Sequence, residues 1–311
     1  MKNKLIAALV AITLTVPTAA NAALRSSTTP TPTLAILDTA IDATVPEFAG
    51  KIVHEVCILE WDSCPNGKSF MEGPGSGLTY PAKFVSSKTF NHGTQMVSAA
   101  LRTNPNMNIV FVRIAGNTPT GVRQIAYEKT VYQALHWVLA NASKYNIKAV
   151  SMSQGHHNLL NYGADYCPNT PTTKTAITNL KNLGIPTFFA VGNGRDYKRI
   201  DWPSCITESI AIGAVDQYNE IAIYSNADAA RTDFYALGNM RLSLPGGTET
   251  NAAGTSVSTQ VAAAQWIQAL SAKPTLTYDQ LIALFDKTAI ASKNAYVSYG
   301  KVINVTGAIN G

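Results

Sequence analysis

Four residues of types that acyl transfer requires stand at four separate places in this chain. They are Asp38 in "LAILDTAID", His92 in "FNHGTQMVSAA", Asn193 in "FFAVGNG" and Ser256 in "TNAAGTSVSTQVAAAQW". A serine hydroxyl is a weak nucleophile at its own pKa and needs a neutral imidazole beside it to take the proton. The imidazole needs a buried carboxylate to hold its tautomer and stabilise the imidazolium. The tetrahedral intermediate needs donors aimed at its oxyanion, which an asparagine amide and a backbone N–H supply. Each residue alone has an ordinary structural reading. Asp38 ends an apolar run as a turn former would, and His92 and Ser256 open helical patterns, where serine is a favoured cap. Asn193-Gly194 suits a left-handed turn. Jointly, in the order Asp, His, Ser, they supply every group that one such site needs.

The elements that must position these groups are legible as alternation. Apolar runs at 33–38, 108–115, 148–154, 186–193 and 209–215 lack polar alternation, as parallel strands covered on both faces do. Helical patterns fall between and after them, at 92–102, 121–145, 172–183, 256–270 and 277–286. Gly184 closes the third as a C-cap, and Thr277 with Gln280 forms a capping box for the last. This pattern predicts an α/β fold, a mostly parallel sheet with helices on both faces in three layers. In such sheets ligands sit beyond the carboxyl ends of strands, where Asp38 and Asn193 fall. Residues 57–89, rich in Gly, Pro, Ser and Lys, read as a long surface insertion.

The first 22 residues have the three parts of a Sec signal peptide: Lys2 and Lys4, an apolar run from Leu5 to Val16, and Ala20-Asn21-Ala22 as a cleavage site. The apolar run falls short of the roughly 20 residues that span a bilayer, so no stable membrane anchor is expected. Cleavage after Ala22 leaves 289 residues and lowers the net charge from +5 to +3. That charge is too weak and dispersed to indicate nucleic acid. The domain plan is therefore a signal peptide (1–22), a short segment (23–33) and one domain (34–311), with a secreted or periplasmic location. Four cysteines, Cys57, Cys64, Cys167 and Cys205, fit two disulfides in an oxidising compartment. Three pairings are possible, and the short loop between the first two favours Cys57–Cys64 with Cys167–Cys205. No Cys-x-x-Cys spacing points to a metal, and no compact Ca²⁺ loop is visible. No cofactor is expected for catalysis, and a structural Ca²⁺ would have no assignable ligands. His156-His157 read as polar loop surface, and His54 and His136 as packing or surface residues.

The motifs resemble those of the subtilisin-like (subtilase) serine peptidases, from about Leu34 to the end. "ILDTAIDATVPEF" is similar to the family's Asp segment, "NHGTQMVSAA" to its His helix and "AVGNG" to its oxyanion segment. "VSMSQG" resembles the strand lining the substrate cleft, and "LPGGTETNAAGTSVSTQVAAA" the loop and helix of the nucleophile. The resemblance implies Asp38, His92 and Ser256 as the triad and Asn193 as oxyanion donor. It also implies Ser153 and Gly155 as contacts to an extended peptide pairing with backbone near 152–155. Asp201, in "RDYKRIDWPSC", stands near where the family's first pocket has its floor, and a carboxylate there favours Arg or Lys at the cleaved position. The expected partner is a peptide or protein substrate, and the expected activity a serine endopeptidase.

Three departures bear on that expectation. Ala40 stands where the family prefers Gly, which matters if the position needs positive φ. Gln260 replaces the Pro of the nucleophile's helix. Only fifteen residues separate the cleavage site from Asp38, so the expectation is folding without a covalent pro-segment. The first two keep a rival in view, a catalytically impaired protein that binds extended peptides. A hydrolase of small esters or amides on the same machinery is a second rival.

Overall fold

The computed structural model describes residues 30–60, 62–117, 123–125, 128–156 and 167–311. In chain order the strands are β1 (Thr33–Asp38), β2 (Ile52–Ile58), β3 (Phe70–Glu72), β4 (Asn108–Arg113), β5 (Ala115–Asn117), β6 (Arg123–Ile125) and β7 (Ile147–Met152). They continue with β8 (Thr187–Ala190), β9 (Ile210–Val215), β10 (Phe234–Leu237), β11 (Asn239–Ser243), β12 (Glu249–Ala253), β13 (Ile290–Ser292) and β14 (Gly300–Val302). The helices are α1 (His92–Thr103), α2 (Glu128–Asn141), α3 (Pro171–Asn182), α4 (Thr255–Ala272), α5 (Tyr278–Thr288) and α6 (Val305–Asn310).

Ten strands form one sheet in the order β13-β14-β10-β9-β8-β7-β1-β4-β2-β3. The interior pairs are parallel, and the sheet turns antiparallel only at its two rims, β2 with β3 and β13 with β14. Alternate residues of β1 show why there are three layers. Leu34 and Ile36 join one core with Val97 of α1, Ala262 and Ile267 of α4, and Phe285 of α5. Ala35 and Leu37 join the other, with Val131 and Leu135 of α2 and Ile177 and Leu180 of α3. A strand's side chains alternate faces, so an apolar residue at every position demands cover on both. α4 is buried on nearly all sides, from Val257 to Ala269. Its Ala, Ser and Thr residues let it lie close to the sheet, and a helix apolar all round belongs inside.

Three expectations need correction. The helix predicted from 121 begins at Glu128, and Arg123–Ile125 instead pair antiparallel with β5. Residues 118–122 and 126–127 lie outside the described residues. The segment 57–89 is not simply a surface insertion. Cys57 and Ile58 complete β2, Phe70–Glu72 form the rim strand, and Ser76 and Thr79 are buried. The Glu55 carboxylate accepts from the N–H groups of Gly75 (3.0 Å) and Gly77 (3.1 Å). Fully buried Arg113 donates to the Leu78 carbonyl at 2.7 Å. Burial lowers that guanidinium to about 10, partly opposed by the Asp62 carboxylate. Finally, β2, β3, β5, β10–β14 and α6 escaped the sequence reading. Both expected disulfides are present, Cys57–Cys64 and Cys167–Cys205, and the Thr277–Gln280 capping box is formed.

Candidate active site

Asp38 is the last residue of β1 and is wholly buried. Its Oδ1 accepts from the Thr39 N–H at 2.7 Å and lies 2.8 Å from His92 Nδ1 and 3.2 Å from Gln154 Nε2. A carboxylate facing Nδ1 places the ring proton there and leaves Nε2 as an acceptor. The short Asp–His distance has a local cause. Thr39 Oγ1 donates to the Phe90 carbonyl (2.8 Å) and accepts from the Gly93 N–H (3.0 Å), lashing the start of α1 to the turn after β1. A Cβ on Gly93 would stand 2.3 Å from the Ala40 carbonyl oxygen, so this approach needs glycine. Ala40 itself does not have a positive φ, and the first departure from the family pattern carries no backbone strain.

Ser256 is the second residue of α4, and the N-cap is Gly254 with φ of 159° and no side-chain cap. The cap reading of Ser256 is therefore wrong. The residue lies in the first turn, where the Thr255 and Ser256 N–H groups precede the intrahelical hydrogen bonds and carry partial positive charge. Its Oγ donates to the Ser153 carbonyl at 3.3 Å, and this, not His92, is its hydrogen-bond partner. Ser153 Oγ in turn donates to the Ser256 carbonyl at 2.9 Å. Catalytic hydrogen bonds often tighten only once substrate is bound.

Asn193 follows β8 and is exposed. Its Oδ1 accepts from the Thr255 N–H (2.9 Å) and Thr255 Oγ1 (3.1 Å). With the oxygen so engaged, the amide Nδ2 is the group left to donate elsewhere. A cleft of about 650 Å³ contains His92, Gly155, Asn193, Asp201 and Ser256 in its walls.

Asp201 is partly buried beside Gly192, whose φ is +100° and where a Cβ would stand 2.3 Å from Asp201 Oδ2. Asn226 Nδ2 donates to Asp201 Oδ1 at 3.0 Å, and Asn226 Oδ1 accepts from the N–H groups of Gly194 (2.8 Å) and Asp196 (3.0 Å). Asn226 thus organises the wall after Asn193. Nothing in "SNAD" announces this, because its partners lie 25 to 35 residues away. Gln154 was also missed as a triad neighbour; only the fold brings it against Asp38. Beyond Gly155, His156 and Trp202 exchange backbone hydrogen bonds of 3.1 and 3.2 Å.

Of the remaining described histidines, His54 and His156 are partly buried and His136 is exposed. His156 lies against Trp202, and burial lowers its pKa. His54, Trp137 and Tyr145 form a cluster of three mutually contacting rings, and His136 faces Tyr132. His157 lies outside the described residues. Among the described residues no group of three or more His, Cys, Asp or Glu side chains could hold a metal ion.

The model of the subtilase family matches residues 30–306. Subtilisin E of Bacillus subtilis is 28% identical over 248 residues, 73% of this chain and 59% of that protein. Subtilisin of Bacillus pumilus is also 28% identical over 248 residues, 73% of this chain and 82% of that one. The chain thus spans about three fifths of the length of several curated relatives it matches, 59% of each. Among solved structures, the nisin leader peptidase NisP from Lactococcus lactis superposes with TM-score 0.68 at 15% identity, over 90% of this chain and 87% of that one. A cold-adapted subtilisin-like serine proteinase gives TM-score 0.62 at 19% identity, covering 88% of each chain. At these identities the structural likeness speaks to the fold.

Proposed function

The chain belongs to the subtilase family, and on that premise we propose that it is an exported serine endopeptidase acting through an acyl-enzyme. His92 serves as general base and then as acid to the leaving amine. Ser256 is the nucleophile, Asp38 holds His92 in its tautomer, and Asn193 Nδ2 with the Ser256 N–H receives the oxyanion. The observation that carries this reading is the convergence in one cleft of an imidazole, a serine in a helix's first turn and an asparagine amide, with a buried carboxylate 2.8 Å behind the imidazole. The signal-like pattern of residues 1–22, which lie outside the described residues, and the two disulfides support export. Among the described residues no helix is long and apolar enough to cross a membrane.

The test is hydrolysis of labelled peptides by the exported chain, with loss of activity on fluorophosphonate treatment. A folded protein that neither cleaves nor labels supports the second reading, a peptide-binding protein with an idle site. The Ser256 hydroxyl's contact with the Ser153 carbonyl is the observation that favours it.

Two finer predictions arise here. Asn193→Ala removes one oxyanion donor and is expected to lower kcat by about 10²- to 10³-fold with KM little changed. Steady-state kinetics on a single peptide measure this, and an unchanged kcat would remove Asn193 from the oxyanion role. Asp201 is proposed to favour Arg or Lys at the cleaved position. Peptides differing only in Arg, Phe or Leu there should show Arg preferred. Asp201→Asn should then cost the Arg peptide about thirtyfold in kcat/KM, the scale of losing a buried charge partner, and leave the Phe peptide unaffected. A preference for Phe in the parent protein ends this proposal.

A further inference from the structure

Gln260, in the second turn of α4, is fully buried. A buried amide without partners is costly, so its partners matter. Its Oε1 accepts from Ser151 Oγ at 2.7 Å, and its Nε2 donates to Ser153 Oγ at 2.8 Å. Ser153 Oγ in turn donates to the Ser256 carbonyl at 2.9 Å. The relay has one direction. A Ser153 hydroxyl that donates to a carbonyl must accept from the amide, so the amide nitrogen faces Ser153 and its oxygen faces Ser151. The Ser256 hydroxyl returns to the Ser153 carbonyl at 3.3 Å. Main chain and side chain of Ser256 are therefore both tied to Ser153, and Ser153 is tied to Gln260.

This matters because the first turn of α4 has no side-chain cap and starts at a glycine. Its position against the carboxyl end of β7 depends on contacts from elsewhere, Asn193 on one side and this relay on the other. Proline, the residue of the family pattern at this place, has neither the amide oxygen nor the amide donor.

We infer that Gln260 is a positioning residue for the nucleophile: through Ser151 and Ser153 it sets the register of α4's first turn against β7. The inference rests on the reading of Ser256 as nucleophile. Gln260 does not touch substrate, so its loss should change reactivity and not affinity.

The variant for the test is the double substitution Ser151→Ala with Gln260→Met. Replacing both partners of a buried hydrogen bond by apolar groups of similar shape is nearly neutral for stability, so this variant is expected to fold where Gln260→Met alone leaves the Ser151 hydroxyl stranded. The expected result is a kcat about tenfold lower with KM within about twofold, since small misplacements of a reacting group are costly. The rate of fluorophosphonate labelling should fall by the same factor. Amide hydrogen exchange across 255–259 should quicken while exchange in α5 stays as it was. Unchanged kcat and exchange in the folded double variant overturn the inference. So does a raised KM at constant kcat, which would assign Gln260 to substrate binding. If the parent protein neither cleaves nor labels, the hydrolase reading fails by itself. The exchange measurement then still decides whether Gln260 holds the turn.

Discussion

Ser256→Ala and His92→Ala are each expected to abolish fluorophosphonate labelling and to lower kcat for a peptide by about 10⁶-fold. The two groups act as a unit. Without the imidazole the hydroxyl keeps its proton, and without the hydroxyl the imidazole has nothing to deprotonate. The double variant should accordingly be no worse than either single one. What remains comes from binding and the oxyanion donors. Neither side chain is part of the apolar cores, so both variants should fold, as circular dichroism and thermal melting will show. His92 also loses its 2.8 Å bond to Asp38, and a melting shift confined to the His92 variant would report that bond. Labelling that survives in Ser256→Ala would place the nucleophile at another residue.

Asp38→Asn is expected to lower kcat by about 10⁴-fold with KM nearly unchanged. Asp38 Oδ1 faces three donors, from Thr39, His92 and Gln154. An asparagine there has two ways to sit. With its oxygen toward them, geometry survives but the negative charge that stabilises the imidazolium is gone. With its NH₂ toward them, a donor meets His92 Nδ1 and drives the ring proton to Nε2, where it blocks the base. Both outcomes stop proton transfer from Ser256 without touching the substrate pocket. Steady-state kinetics separate this from a binding defect, and the same variant's melting temperature separates it from unfolding. Activity within tenfold of the parent would return Asp38 to the role of a strand-end turn residue.

The site was legible to unequal depth. Asp38, His92, Asn193 and Ser256 stand out because each sits where a strong periodic signal starts or stops. The five central strands, β9-β8-β7-β1-β4, were equally plain, since strands covered on both faces are apolar throughout. The strands outside this centre were not. "NMRLS" alternates over only five residues, and "ETNAA", "IAS" and "GKV" carry no periodicity. The first two pair with each other, as do the last two, and segments this short leave no pattern that stands out from a loop. Residues 57–89 misled for a related reason. Their composition is that of a loop, but Glu55 and Arg113, both outside the stretch, hold its backbone inward.

By itself, then, the sequence determined which chemical groups the protein carries, their order, the α/β layering and the local devices that need only neighbours, such as the Thr277–Gln280 capping box. Tertiary structure decided which groups meet. Gln154 joins the Asp38–His92 pair, Asn226 holds Asp201, and Gln260 reaches Ser153 across 107 residues. It also turned the Ser256 hydroxyl toward the Ser153 carbonyl, where the sequence suggested only a cap or a nucleophile. The physical reason is range. Periodicity and capping arise from contacts within one or two turns. A buried side-chain hydrogen bond depends on two distant backbones arriving within about 3 Å of each other, and no local pattern encodes that.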